Sequence, residues 1–196
     1  RVLAALADLA DDGVEIVWVA GNHDCWGGEV LRHDVGVQYV LGTWRGEIAG
    51  SVTRIDHGDG LRDVEDRRYR ALRVVLRNGL AIRAFRWLHP DLAARIALGS
   101  SHASRTYRAK DGGSGLHKVA MRDLEQEPGL QLLVFGHSHV PEVERAASGG
   151  VYANAGTWLG DSTFLRITDD GVELRRFRIS LSGPSSDLLR REPRRA

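Results

Sequence analysis

The 196-residue chain has almost no sulfur, with Cys25 its one cysteine and Met121 its one methionine. A single thiol excludes an internal disulfide and fits a reducing compartment. The chain opens at Arg1 rather than methionine, so we expect further sequence upstream. An excess of one charge is missing too: 27 Lys and Arg against 26 Asp and Glu leave a net +1. That total selects no partner class. No uncharged apolar run reaches the ~20 residues that a bilayer-spanning helix needs. Hydrophobic residues make up 42% and charged residues 27%, an ordinary balance for a globular protein with one sizeable core.

Three strand ends stand out from this plain background. Leu132-Leu133-Val134-Phe135 is continuously apolar and reads as a buried strand of a mostly parallel sheet. Gly136 ends it, and His137 and His139 follow with Ser138 between them. Glu15-Ile16-Val17-Trp18-Val19-Ala20 repeats the pattern and runs into Gly21-Asn22-His23-Asp24. Val52-Thr53-Arg54-Ile55-Asp56 ends in His57-Gly58-Asp59. Open α/β sheets bind their ligands at the carboxyl ends of such strands. Packing alone does not call for His, Asn and Asp beside glycine three times over. A His/Asn/Asp donor set without cysteine suits manganese, iron, zinc, cobalt or nickel.

The order and spacing of Gly21-Asn22-His23-Asp24, His57-Gly58-Asp59 and Gly136-His137-Ser138-His139 resemble the last three motifs of the calcineurin-like metallophosphoesterases. Within that superfamily the chain looks most like the UDP-2,3-diacylglucosamine diphosphatases of lipid A synthesis. That narrower likeness rests on His57-Gly58-Asp59, Asp66-Arg67-Arg68-Tyr69-Arg70, an Arg-rich insert and Tyr152-Ala153-Asn154-Ala155-Gly156-Thr157-Trp158.

The resemblance implies an α/β fold (an α+β sandwich), the four-layer α/β/β/α arrangement of that superfamily, truncated at its N-terminal side and carrying a helical cap. It divides the chain into a core over residues 1–181, interrupted by an Arg-rich cap over 61–115, and a flexible tail over 182–196. It implies two divalent ions, manganese first, with iron, zinc, cobalt and nickel as alternatives. Asn22, His57 and His137 would ligate one ion and His139 the other. His23 would contact the phosphoryl group, Asp24 would orient His23, and Asp59 would support a ligand from behind. A metal-bound hydroxide would attack phosphorus and cleave the diphosphate of UDP-2,3-diacylglucosamine to UMP and lipid X. Two alternatives stand beside this reading: a phosphodiesterase acting on a small soluble phosphoester, and a binding domain without activity. The superfamily's earlier Asp-x-His and Gly-Asp motifs do not precede Gly21. The chain as given is therefore expected to hold at most one ion well and to hydrolyse little.

The remaining chain reads as follows. Val2, Leu6 and Leu9, with Leu3 alongside, mark a helix that Asp11-Asp12-Gly13 stops. Trp26 reads as packing, residues 37–41 as a strand, and Arg45-Gly46-Glu47 as a turn. Residues 61–110 hold twelve cations (eleven arginines and Lys110) against four acids, a surplus of eight inside a chain of net +1. Residues 68–77 read as an amphipathic helix, and Leu80, Ile82, Phe85, Trp87 and Leu88 as an apolar patch, with a further helix over 90–98. Arginine forks suit diphosphate oxygens, so Arg67, Arg70, Arg73 and Arg77 are the candidate substrate-binding residues. A basic, apolar cap also suits an anionic membrane. The implied partners are a nucleotide-diphosphate lipid or another phosphoester, and the inner-membrane surface; no nucleic acid is expected. The implied location is cytoplasmic, peripheral on the inner membrane. Residues 111–115 read as a flexible hinge, 117–127 as a helix, and His117 as an isolated surface or core histidine. Residues 151–153, 163–168 and 172–177 read as strands of a second sheet, with Asp169-Asp170-Gly171 as a hairpin.

Overall fold

The run expected to be a buried strand lies in the middle of a five-stranded sheet, and its Leu132 and Leu133 are fully buried. Each leucine buried in this way contributes about 1.5–3 kcal/mol. The computed structural model describes residues 1–87 and 111–194. The described residues form two units, Arg1–Gly42 with the described part of Arg62–Arg108, and Thr43–Leu61 with the described part of Ala109–Ala196.

In the first unit, helix α1 (Val2–Asp11) leads into strand β1 (Val17–Val19). Helix α2 (Gly28–His33) follows, and strand β2 (Gln38–Val40) pairs parallel with β1. Ala20, Leu31, Val35, Val37 and Tyr39 form the core, and Leu6, Ala7, Ile16 and Trp18 pack against it. The face of α1 differs from the expected one. Leu6 and Ala7 pack inward, while Val2, Leu3 and Leu9 are exposed. The helices of the Arg-rich segment are α3 (Arg67–Leu76) and α4 (Gly79–Arg86). Asn78 caps α4, its side-chain oxygen accepting from the backbone N–H groups of Leu80 and Ala81. Trp26 packs as expected, donating to the Leu76 carbonyl at 2.8 Å and meeting Phe85 edge-on at 4.9 Å. The helix expected over 90–98 lies outside the described residues.

The second unit holds the remaining strands: β3 (Trp44–Ile48), β4 (Ser51–Asp56), β5 (Leu132–Phe135), β6 (Glu142–Arg145) and β7 (Val151–Asn154). They form a mixed sheet in the order β3-β4-β5-β7-β6, with β4, β5 and β7 parallel and the two edge strands antiparallel. Helix α5 (Ser114–Gln126) covers one face through Leu116, Val119, Ala120 and Leu124 against Leu133, Phe135 and Tyr152. The other face carries Leu132, Val143, Val151 and Ala153, which pack with Val172 and Leu174. The last two belong to a three-stranded sheet of β8 (Thr163–Thr168), β9 (Gly171–Ser180) and β10 (Gly183–Pro193). The fold is mixed α/β around a central mixed sheet, as expected, and this unit accounts for its helix, sheet and sheet layers.

Four local expectations are corrected. Residues 183–193 of the expected flexible tail form a strand that pairs with β9 along its whole length. Polar composition hid it, because the strand is held by its backbone ladder and by cross-strand contacts such as Arg175 Nε to Ser186 Oγ at 2.9 Å. Pro184 is tolerated because β10 is an edge strand. Arg45-Gly46-Glu47 lies inside β3, and the turn falls at Ala49 and Gly50, whose φ values of 47° and 68° fit a tight hairpin between Ile48 and Ser51. The expected hinge instead begins α5, with the Asp111 carboxylate accepting from the N–H groups of Gly113 and Gly115. Residues 151–153 join the central sheet rather than the second one, pairing parallel with β5. Among the described residues, no helix is long and apolar enough to cross a membrane.

Candidate metal centre

Two parallel strands deliver His57 and His137 to one place. Asp56 of β4 pairs with Phe135 of β5. The next residues, His57 and Gly136, are therefore neighbours, and the Gly136 N–H donates to the His57 carbonyl at 3.0 Å. The ring of His137 then meets that of His57 edge-on, with centroids 5.1 Å apart and planes at 64°. Gly58 has φ +104°, and a Cβ there would lie 3.3 Å from His137 Cβ and 3.2 Å from Leu116 Cδ1. A side chain at this position would have to displace the histidine or the helix beneath it.

The loop that carries the histidines is held in an uncommon backbone shape. His137 and His139 have φ of 60° and 59°, a region in which a non-glycine residue costs about 1–3 kcal/mol and persists only when its surroundings over-determine it. Asn154, fully buried at the end of β7, provides much of that constraint. Its Nδ2 donates to the Gly136 carbonyl at 2.9 Å and to Ser138 Oγ at 3.0 Å, while its Oδ1 accepts from the Gly156 N–H at 2.9 Å. The Ser138 N–H closes the turn onto the Gly136 carbonyl at 2.7 Å.

The donors fit a metal ion chemically. Asp59, only 4% exposed, lies 2.9 Å from Nδ1 of His57. With Nδ1 carrying the proton, Nε2 has the lone pair that a cation takes, the usual arrangement behind a ligating histidine. Beneath the site, Arg54 bridges Asp56 at 2.7 Å and Asp123 of α5 at 2.9 Å, and Thr43 Oγ1 also donates to Asp56. These groups anchor the end of β4 to the helix. Burial pushes the Tyr152 hydroxyl up to about 12, so it stays protonated beside the sheet at any physiological pH.

The first unit carries the Gly21–Asp24 motif. Asn22 is half-buried and His23 exposed. The Asp24 carboxylate accepts from the Gly21 N–H at 2.6 Å and from the Trp18 indole. Among the described residues no hydrogen bond joins Asp24 to His23, so the aspartate shapes the loop rather than gripping the imidazole. The Tyr39 hydroxyl donates to the Asp24 carbonyl at 2.9 Å, and burial, then the Asp24 charge, raise its pKa. Of the candidate arginines, Arg67 opens α3 and is exposed, and Arg77 caps its end. Arg70 donates to the backbone carbonyls of Arg62 and Asp63 at 2.9 and 2.7 Å and so fastens the loop before α3. Arg73 lies in the helix's last turn.

Sequence reasoning did not single out Asn154 or Ser138 as site residues. A polar residue closing the otherwise apolar Val151-Tyr152-Ala153 run was the available signal.

Residues 1–141 match the calcineurin-like phosphoesterase family. A UDP-2,3-diacylglucosamine hydrolase of Porphyromonas gingivalis is 29% identical over 157 residues, covering 71% of this chain and 60% of the relative. The chain thus spans less than two thirds of that relative's length. A protein of the same name from Xanthomonas oryzae pv. oryzae is 29% identical over 190 residues, covering 90% of this chain and 76% of its own. Among solved structures, vacuolar protein sorting 29 from Cryptosporidium parvum aligns at 14% identity with a TM-score of 0.37, covering 80% of this chain and 60% of that one. With all three of its histidine motifs inside the matched residues 1–141, the chain belongs to the calcineurin-like phosphoesterases.

Proposed function

We propose that this chain supplies the metal-holding residues of a phosphoester hydrolase that cleaves the diphosphate of UDP-2,3-diacylglucosamine to UMP and an acylated glucosamine phosphate. The observation that carries the metal reading is the edge-on approach of His57 and His137 on a backbone that Asn154 holds in the left-handed region. In this reading His57 and His137, with Asn22, hold one ion and His139 contributes to a second. Divalent ions there, manganese first, supply Lewis acidity at a phosphoryl oxygen and lower the pKa of water towards about 7. Asp59 fixes the His57 tautomer, and Asn154 keeps the His137 loop in place before any ion arrives. His23, exposed at its loop, meets the phosphoryl group or protonates the leaving oxygen.

The substrate assignment rests on the names of the relatives and on the character of α3 and α4. Leu72, Val74, Val75, Leu80 and Trp87 are exposed there, Trp87 at 91%, among Arg67, Arg68 and Arg83. Exposed apolar groups interleaved with arginine suit a lipid at an anionic membrane surface, which supports a location on the periphery of such a membrane. A small soluble phosphoester is the second reading, favoured if that surface has no part in catalysis. The test is hydrolysis of UDP-2,3-diacylglucosamine against a simple aryl phosphodiester, with manganese added. Preference for the lipid, lost when Trp87 and Leu80 become serine, supports the first reading. Equal or better turnover of the aryl ester supports the second, and no turnover of either by the full-length protein overturns both.

A further inference from the structure

A second cluster of donors lies on the helix-covered face of the same sheet, made of residues that the family motifs do not contain. His117 stands in the first turn of α5, and Glu142 and Glu144 alternate along β6 towards that helix, with Val143 between them facing the opposite sheet. Nδ1 of His117 lies 2.9 Å from Oε1 of Glu142. One ligand atom from each of the three side chains lies within 4.8 Å of the others. Donors around a tetrahedral ion with bonds of about 2.0–2.2 Å lie roughly 3.4 Å apart, so small side-chain rotations bring these three onto one centre.

A bare ion pair does not account for the group. One imidazolium balances one carboxylate, which leaves a negative charge on two glutamates that share a strand face. Among the described residues no cation or hydrogen-bond donor meets the Glu144 carboxylate. A divalent ion with a neutral imidazole brings the charge of the cluster to zero. Tyr152, opposite Glu144 in the register, meets His117 edge-on at 5.9 Å and 84°, holding the ring's orientation from the buried side. All three ligands are half-buried, and a cavity of about 500 Å³ beside Ser114, His117, Pro141 and Glu142 gives an ion access from solvent.

We propose that His117, Glu142 and Glu144 form a second site for a divalent first-row ion of the zinc or manganese class, separate from the His57 and His137 centre. One nitrogen and two carboxylate donors with no sulfur set that preference. The site clips the first turn of α5 to the edge strand of the sheet and leaves a coordination position open.

The test is zinc binding by the chelator-stripped protein, followed by calorimetry and by the zinc-induced rise in unfolding temperature, for the wild type, E144Q, H117A and H137A. E144Q removes a charge without breaking any hydrogen bond, so its zinc-free unfolding and circular dichroism should match the wild type. The expected result is one ion weakened at least about tenfold in both E144Q and H117A, with part of the zinc-induced rise lost, while H137A removes a different ion and keeps this one. Zinc binding identical to wild type in both E144Q and H117A overturns the second site and leaves the His137 centre standing. Loss of all binding in H137A alone also overturns it. If E144Q destabilises the zinc-free protein, H117A with cobalt and its visible absorption decides: unchanged spectra and stoichiometry sink the proposal.

Discussion

The loops Gly21–Asp24 and 136–139 follow the same recipe, a buried strand, a glycine and then polar donors, yet they are built to different standards of rigidity. The first leaves a strand of three residues that pairs with one neighbour, and it is shaped from within by Asp24. The second leaves the middle strand of a five-stranded sheet and is gripped from the next strand by a fully buried asparagine. Only the second carries non-glycine residues at positive φ. Backbone strain of that kind survives where neighbours leave the chain no alternative. A short, two-stranded element cannot supply that constraint, and a sheet centre can.

Core truncation should separate the two regions most strongly. Leu133→Ala, at a site of zero exposure in β5, is expected to cost about 2–5 kcal/mol. Val19→Ala in half-buried β1 is expected to cost about 1 kcal/mol, and equal losses in chemical denaturation would break the contrast. Asn154→Ala comes next. It leaves the Gly136 carbonyl and Ser138 Oγ without their buried donor, for about 2–3 kcal/mol, and weakens ion binding by roughly 10–100-fold, read by denaturation and by calorimetry. Wild-type metal affinity in this variant would show that the histidine loop holds its shape unaided. Asp59→Asn sharpens the picture, because it should weaken the ion by about 10–100-fold with little change in folding stability.

The smallest effect is expected at the rim. Arg45 and Glu127 form a two-pronged contact at 2.6 and 3.0 Å, and the hydrogen bond from Arg45 holds the Glu127 carboxyl below its ordinary value. A carboxyl lowered on folding stabilises above its unfolded pKa and loses that contribution as pH falls through the folded one. Glu127→Gln should therefore cost less than about 1 kcal/mol at pH 7, since the pair is exposed. The urea midpoints of variant and wild type should converge below about pH 4, near the ordinary carboxylate range. A difference that persists in acid would show that packing, not charge, joins β3 to the end of α5.

Apolar and alternating runs announced β4, β5, β7, β8 and β9 because hydrophobic periodicity is a local property of the chain, and glycine beside histidine marked two of the strand ends that the structure brings together. The edge strand β10 stayed hidden for the opposite reason. Its Ser, Asp and Arg side chains are exposed or half-buried, and its backbone ladder leaves no trace in composition. His117 looked isolated because its partners, Glu142 and Glu144, lie 25 and 27 positions away in the sequence and reach it across a helix–sheet contact. Arg70 looked like a phosphate ligand, and only the folded loop before α3 occupies it with carbonyls.

The sequence by itself determined the family, the strand ends and the kind of donors gathered there, because those depend on residue type and short-range order. Tertiary structure decided which donors stand together, which asparagine locks the histidine loop and where a second cation fits. Those outcomes depend on strand register and on the packing of α5 over the sheet, quantities that exist only once distant segments meet.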